Sequence, residues 1–319
     1  MSLTVEDILR GTKSASRQSV GNMEVIPLVS DEDDETFAPP DFYASTREYG
    51  QIRVRNDSDR PSIVPPGAGW VVEQSAQDHA VCSGALMPAK KTRSLTKACC
   101  IQETQGGLIS ETQGSMLILP ASIRSQALAI RNDTSYNRLW DVIRKFKRSV
   151  GLDGSGNLVD FLKAFRRQLD EFVAEFELIP RQVGAVVLIN GTVVGVERAP
   201  STQFWRTLWN PLIRVCYGSL AIQNKCERPP VTRTMLKMGQ KTLEGLREAL
   251  TVVTEAEMAT TARIVSETDS MQLQLHKIPD EKMGEFNLLT VANERLSGQI
   301  VRDKEMSVVK YASLCISGK

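Results

Sequence analysis

The chain has 319 residues, 41% of them hydrophobic and 24% charged, a size for roughly two domains with a buried core and a balance that excludes disordered and collagen-like classes. Thirty-nine basic residues face 38 acidic ones for a net charge of +1, so no global field draws the protein to nucleic acid or to a membrane surface. No window approaches the ~20 apolar residues of a membrane span, and Met1 to Ser14 lacks a basic region followed by an apolar run; the expected location is the cytoplasm, or a virion if the chain is phage-encoded.

In chain order, residues 1–24 read as a polar arm with a short helix near Val5 to Arg10. A strand at Val25 to Val29 follows, and then the acidic run 31–35, expected as a solvated loop because adjacent carboxylates repel. A site for a cation or a basic partner is the competing reading of that run. Residues 25–125 have the texture of a β-rich domain. Short segments at Ile52 to Val54, Ile63-Val64, Gly69 to Val72, Ala80-Val81, Leu86 to Pro88 and Ala98 to Ile101 are separated by turn residues. Met116 to Leu119 is the last strand of this series, and the spacing suggests an antiparallel sheet or a small sandwich.

Residues 126–319 form an α+β domain. Arg138 to Val150 is a helix with Leu139, Val142, Ile143, Phe146 and Val150 on one stripe. Its outer face carries Arg144, Lys145, Lys147 and Arg148, the one place where nucleic acid is a conceivable partner. The glycine-containing loop Gly151 to Gly156 lacks the preceding strand and the Lys-Ser/Thr pair of a phosphate-binding loop. Leu158 to Leu178 is read as one long helix with four phenylalanines on its core face, ended by Pro180. At 184–196, two wholly apolar strands flank Asn190-Gly191, the dipeptide that favours a tight primed turn. Apolar residues on both sides of a hairpin call for cover on both faces, and the phenylalanine helix is the expected cover for one of them.

Beyond it, Thr202 to Asn210 and Pro211 to Ile222 read as one kinked helix or two. A further helix near Met235 to Val253 precedes strand-like segments at Thr260 to Val265, Met271 to Ile278, Glu285 to Val291 and Ser307 to Cys315. These strands are expected to join the hairpin in one antiparallel sheet. The fold class is therefore α+β: antiparallel sheets with helices packed on a central apolar hairpin, and a β-rich N-terminal half.

Chemistry has few candidates. The two histidines, His79 and His276, leave few ways to build a histidine triad or a two-histidine metal site, and the six cysteines show no metal-ligand spacing. Neither a metal nor a cofactor is expected. One polar cluster, Glu73, Gln77, Asp78 and His79, lies between two strand-like segments and could bind a polar ligand or move a proton. A second is Cys100 with Gln102 and Glu103, where Cys100 is a nucleophile only if its thiolate is favoured.

At these positions the chain resembles the ARPP family, a domain associated with ADP-ribosylglycohydrolase and rhodanese-phosphatase proteins. Gln77-Asp78 matches part of a Gly-x-Gln-Asn/Asp-Arg segment, with His79 where arginine is common. Cys100 with Gln102 or Glu103 resembles the Cys-x-Glu segment, and Gln182, Gly184 and Ala185 match the Gln-x-Gly-Ala hairpin. The turn Pro66-Gly-Ala-Gly69 lacks the family's acid, and Gly106-Gly107-Leu108 replaces its Arg-Trp. The resemblance implies a link to nucleotide or ADP-ribose metabolism without fixing a reaction.

The expectation is a non-catalytic binding module for a nucleotide-like or polar small molecule, or for a protein partner, with Glu73, Gln77, Asp78, His79, Cys100, Glu103 and Gln182 as ligand-binding residues. A structural subunit of a phage or multiprotein particle, assembling as a homo-oligomer or with a partner, is one alternative. A hydrolase of an ADP-ribose-like or nucleotide substrate, using Asp78, His79 and Glu103, is the other.

Overall fold

The computed structural model describes residues 2–71, 77–110, 116–225, 242–276, 278–305 and 308–317. The hairpin lies inside. Its strands are Gln182–Ile189 and Thr192–Arg198, and the turn closes with φ of 52° at Asn190 and 75° at Gly191, the positive values that a primed turn needs. Among the described residues it belongs to an antiparallel sheet ordered Ser2–Thr4, Gln272–Leu275, Phe286–Ala292, Leu296–Asp303, Val309–Ile316, Thr192–Arg198, Gln182–Ile189, Met23–Val29 and Lys13–Ser14. Glu281–Met283 pairs beside Phe286–Ala292, and Gln18–Val20 beside Met23–Val29. The C-terminal strands thus extend the hairpin on one side and the N-terminal strand on the other.

Period-two alternation sorts the side chains of Gln182–Ile189 onto two cores, and a β-bulge opposite Val187 and Leu188 shifts the register of the return strand, so that Val194 and Val196 face opposite sides. Ala185, Val187, Ile189 and Val194 face one side, against Phe204, Trp205, Leu208, Ile213 and Tyr217. Val186, Leu188 and Val196 face the other, against Val5, Ile8, Leu9 and Ile264. Val186 is fully buried and Val194 nearly so. The covers are therefore the helical run from Thr202 to Gln223 on one face, and the short helix Val5–Leu9 with the long helix Leu243–Asp269 on the other.

The phenylalanine helix covers the hairpin only in part: Phe172, Val173 and Phe176 from its second half join the core on one hairpin face, while its first half packs elsewhere. It is two helices, Leu158–Ala164 and Arg166–Glu175, divided at Phe165. Phe161 and Leu169 pack with Ile143, Phe146 and Ile101 in a third core, over the small sheet of the β-rich half. The rest of that hairpin face is filled by the tryptophan-bearing run Thr202–Asn210 and its continuation.

Other expectations also change. Thr260 to Val265 lies within the helix Leu243–Asp269, where Thr261, Ile264 and Thr268 are buried at helical spacing. The helix near Met235 to Val253 falls partly on residues 226–241, outside the described residues. The strand Leu296–Asp303, paired on both sides within the sheet, and the helix Ala121–Ala129 are additions to the sequence reading. Lys147 is not on an outer face: its side chain is buried and its ammonium reaches Asp160 at 2.5 Å and Ser155 at 2.8 Å. The acidic run is mostly exposed, yet four of its carboxylates have partners. Asp31 meets Lys13 and Arg181, Asp33 accepts from the Thr202 N–H, Asp34 pairs with Lys310 and Glu35 with Arg60.

Among the described residues, the β-rich half forms three small antiparallel sheets. The sheet that carries His79 and Cys100 is ordered Ala98–Cys100, His79–Val81, Ala68–Trp70 and Met116–Ile118. This half is tied to the main sheet through Arg124, which is fully buried and bonded to Glu197 at 2.9 Å and to Ser313 at 3.1 Å. Among the described residues, no helix is long and apolar enough to cross a membrane.

Candidate functional site

Antiparallel pairing sets Cys100 directly opposite His79. The Cys100 Sγ lies 3.2 Å from the His79 Nε2 and donates to the Gln77 Oε1 at 2.8 Å. On the other side of the ring, Nδ1 is 2.7 Å from the Gln77 carbonyl oxygen. A carbonyl only accepts, so Nδ1 carries the proton and Nε2 is an acceptor; the single Cys100 S–H serves either the Gln77 Oε1 or Nε2, not both at once. The Gln77 amide donates to the Gln102 carbonyl at 2.7 Å. Gln77, His79 and Cys100 therefore converge, and all three are buried.

Their environment keeps them neutral. Burial pushes the Cys100 thiol up to about 12, outweighing the Gly50 backbone hydrogen bond and the Arg138 charge that pull it down. Burial likewise lowers the His79 imidazole, against the opposing bond to the Gln77 carbonyl. A thiolate–imidazolium pair is thus disfavoured, and with it a resting nucleophile.

The other expected site residues have different surroundings. Asp78 is buried, with its N–H 3.4 Å from the Gln102 Oε1 and its carbonyl accepting from the Ile101 N–H at 2.9 Å. Glu103 accepts from the Gly156 N–H at 2.7 Å and pairs with Arg144; these hold its carboxyl below the usual range, the backbone N–H first. Asn157 does not cap its helix with its side chain, because its oxygen accepts from the Glu103 and Thr104 N–H groups at 2.6 and 3.1 Å. Both ring nitrogens of His79 are engaged by Gln77 and Cys100, so neither Glu103 nor Asp78 forms a base pair with that imidazole. Gln182 stays local to the hairpin entry, bonded to the Ile179 N–H and the Gly184 carbonyl. Glu73 lies outside the described residues.

Sequence reasoning passed over the aromatic residues that sit on this cluster. The Tyr49 ring lies parallel to His79 at 6.3 Å and stacks on Tyr136 at 5.4 Å. Tyr136 meets the edge of Trp140 at 5.7 Å. Both tyrosines are among the exposed large apolar side chains, at 43% and 39%, and the Tyr49 hydroxyl accepts from the Gly107 N–H at 3.2 Å. A signal exists in Tyr49-Gly50, where φ of 83° at the glycine lets the chain turn beneath Tyr136. Neither tyrosine, however, falls on a periodic stripe. The result is a buried polar cluster beneath an aromatic pair that is partly open to solvent.

No curated protein and no solved structure matches the chain. The family model for the ARG and Rhodanese-Phosphatase-superfamily-associated Protein domain matches residues 12–285. That span takes in the β-rich half, the polar cluster with its tyrosines and the apolar hairpin, and the chain belongs to this ARPP-1 family.

Proposed function

We propose that the protein is a binding module that recognises a nucleotide-like small molecule by stacking its planar ring on Tyr49 and Tyr136. The observation behind this reading is an exposed tyrosine pair resting on a buried cluster in which Gln77, His79 and Cys100 lie within hydrogen-bond distance of one another. A ring that stacks on such a platform gains contact without ordering a flexible side chain, because the cluster fixes His79 and His79 supports Tyr49. Gln77, Asp78, Cys100 and Gln102 act as supporting structure, with Glu103 and Arg144 nearby through Trp140. The family's association with ADP-ribosylglycohydrolase proteins makes ADP-ribose and NAD the first ligands to try. Isothermal titration against these and related nucleotides tests the reading: a binding component that is lost in Tyr49→Ala supports it, and the absence of any such component removes it.

A second reading, assembly with another copy of this chain, is favoured by the long helix. Its first half exposes Leu243, Leu250, Val252 and Met258. Leu243, Leu246, Leu250 and Val253 repeat at steps of three and four, flanked by Ala249, Thr254 and Ala256 and by the single charge of Arg247, a pattern suited to a partner helix. Sedimentation velocity decides it, since a lone monomer at high concentration counts against self-association.

A further inference from the structure

A cleft of about 760 Å³ separates the last turn of the helix Leu158–Ala164 from the helical run beginning at Thr202, a volume within the usual range for small-molecule sites. Lys163, Arg166, Arg206 and Arg214 all reach it. Two carboxylates answer these four cations. Asp170 takes Arg214 at 2.6 Å and Arg166 at 3.8 Å, and Asp41 lies on the rim. Among the described residues, four positive charges less two negative leave the cleft at plus two. Among the described residues, Lys163 and Arg206 have no carboxylate partner.

One wall is unusual. Pro211, Arg214 and Val215 belong to a π-helical stretch, Pro211–Tyr217. Proline has no N–H to give the preceding turn, and the ladder after it runs at five-residue spacing, as in the Gly218 N–H bond to the Ile213 carbonyl. Such stretches are rare and recur at functional sites. The facing wall is apolar, built from Phe42, Val159 and Leu162.

We propose that this cleft binds an organic phosphate. Its phosphoryl oxygens take Lys163, Arg206 and Arg214, charge-assisted donors that fit them. Its ring or apolar portion lies against Phe42 and Leu162, and Asp41 accepts from a hydroxyl. The inference goes beyond the tyrosine platform and does not depend on it. The helix Leu158–Ala164 starts at that platform's margin, where the Leu158 N–H bonds the Ile101 carbonyl, and delivers Leu162 and Lys163 to the cleft from its other end.

The test is calorimetric titration of the full chain with inorganic pyrophosphate and with ADP at low salt. Pyrophosphate binds the native protein and ADP binds the Tyr49→Ala variant, which lacks the tyrosine platform; adding the exposed-site pair Lys163→Glu/Arg206→Glu weakens both by at least about tenfold, the factor that ~1.4 kcal/mol represents. Tyr49→Ala leaves pyrophosphate binding unchanged. The proposal is overturned if neither probe binds, if the added Lys163/Arg206 pair leaves binding as tight as before, or if Tyr49→Ala alone removes pyrophosphate binding. ADP failing to bind where pyrophosphate does overturns the organic part of the assignment.

Discussion

A methyl group added at Gly195 would lie 2.1 Å from the Tyr217 hydroxyl oxygen, so only glycine lets that tyrosine reach the Glu197 carboxylate at 2.6 Å. The same carboxylate takes Arg124, and all three side chains are buried. Removing one member of a buried ion pair leaves the other charge uncompensated. Arg124→Met should therefore cost about 3–5 kcal/mol in urea denaturation, and a cost near zero would mean that Glu197 is satisfied by other means.

His79 gives a second residue-scale prediction. Burial lowers its folded pKa below the ordinary 6.5, so between those two values the unfolded chain holds a proton that the folded chain does not. Stability is therefore complete above 6.5 and declines as pH falls through that window. Denaturation between about pH 5 and 7.5 should show this slope in the native protein and lose it in His79→Asn. An unchanged slope in the variant would place its origin elsewhere.

At the scale of elements, the hairpin owes its stability to burial and the long helix does not share it equally. Leu188 is fully buried between the sheet and its helical cover, whereas Leu250 is 48% exposed on the first half of the helix Leu243–Asp269. Leu188→Ala should cost about 2–5 kcal/mol, and Leu250→Ala within ~0.5 kcal/mol. Thermal melts of the two variants measure the contrast; equal losses would mean that the projecting half of the helix packs against something in the folded chain.

The division of the phenylalanine helix at Phe165 belongs to this scale as well. Its stripe of apolar residues is real, but a stripe says only that a face is buried and not against which element. Two helices share one face of the hairpin, and the run carrying Trp205, Leu208 and Trp209 holds most of it.

Over the whole molecule, the parts legible in the sequence are those with strong local signals. Asn190-Gly191 announces its turn, and the short β segments named between Ile52 and Leu119 lie within a residue or two of strands, whereas the strand Lys91–Leu95, mostly exposed and without an apolar run, is not legible. The strand Leu296–Asp303 was hidden because Gly298 and the fully buried Gln299 interrupt its apolar pattern. Gln299 is buried because it bonds the Gly84 N–H, Ser83 and Asp280, partners far away in the sequence. Thr260 to Val265 misled for the opposite reason: its β-branched residues suit a strand, and tertiary packing made it helix.

The candidate site was half legible. Gln77, His79 and Cys100 are close in sequence to matched segments and do meet, because strand pairing carries Cys100 onto His79. Tyr49 and Tyr136 join them from distant loops, and the cleft cations Lys163, Arg206 and Arg214 come from two separate helical runs. Contacts of that kind are set by topology, which no local pattern encodes.

Nuclear magnetic resonance of the two imidazoles during titration with ADP-ribose tests the central claim most directly. His79 lies beneath the Tyr49 ring, while His276 is exposed after the strand Gln272–Leu275. The account predicts that the His79 and Tyr49 ring signals shift together and saturate while His276 stays in place. Saturable binding that leaves the His79 and Tyr49 signals unmoved, or no binding of ADP-ribose or related nucleotides at all, would contradict it.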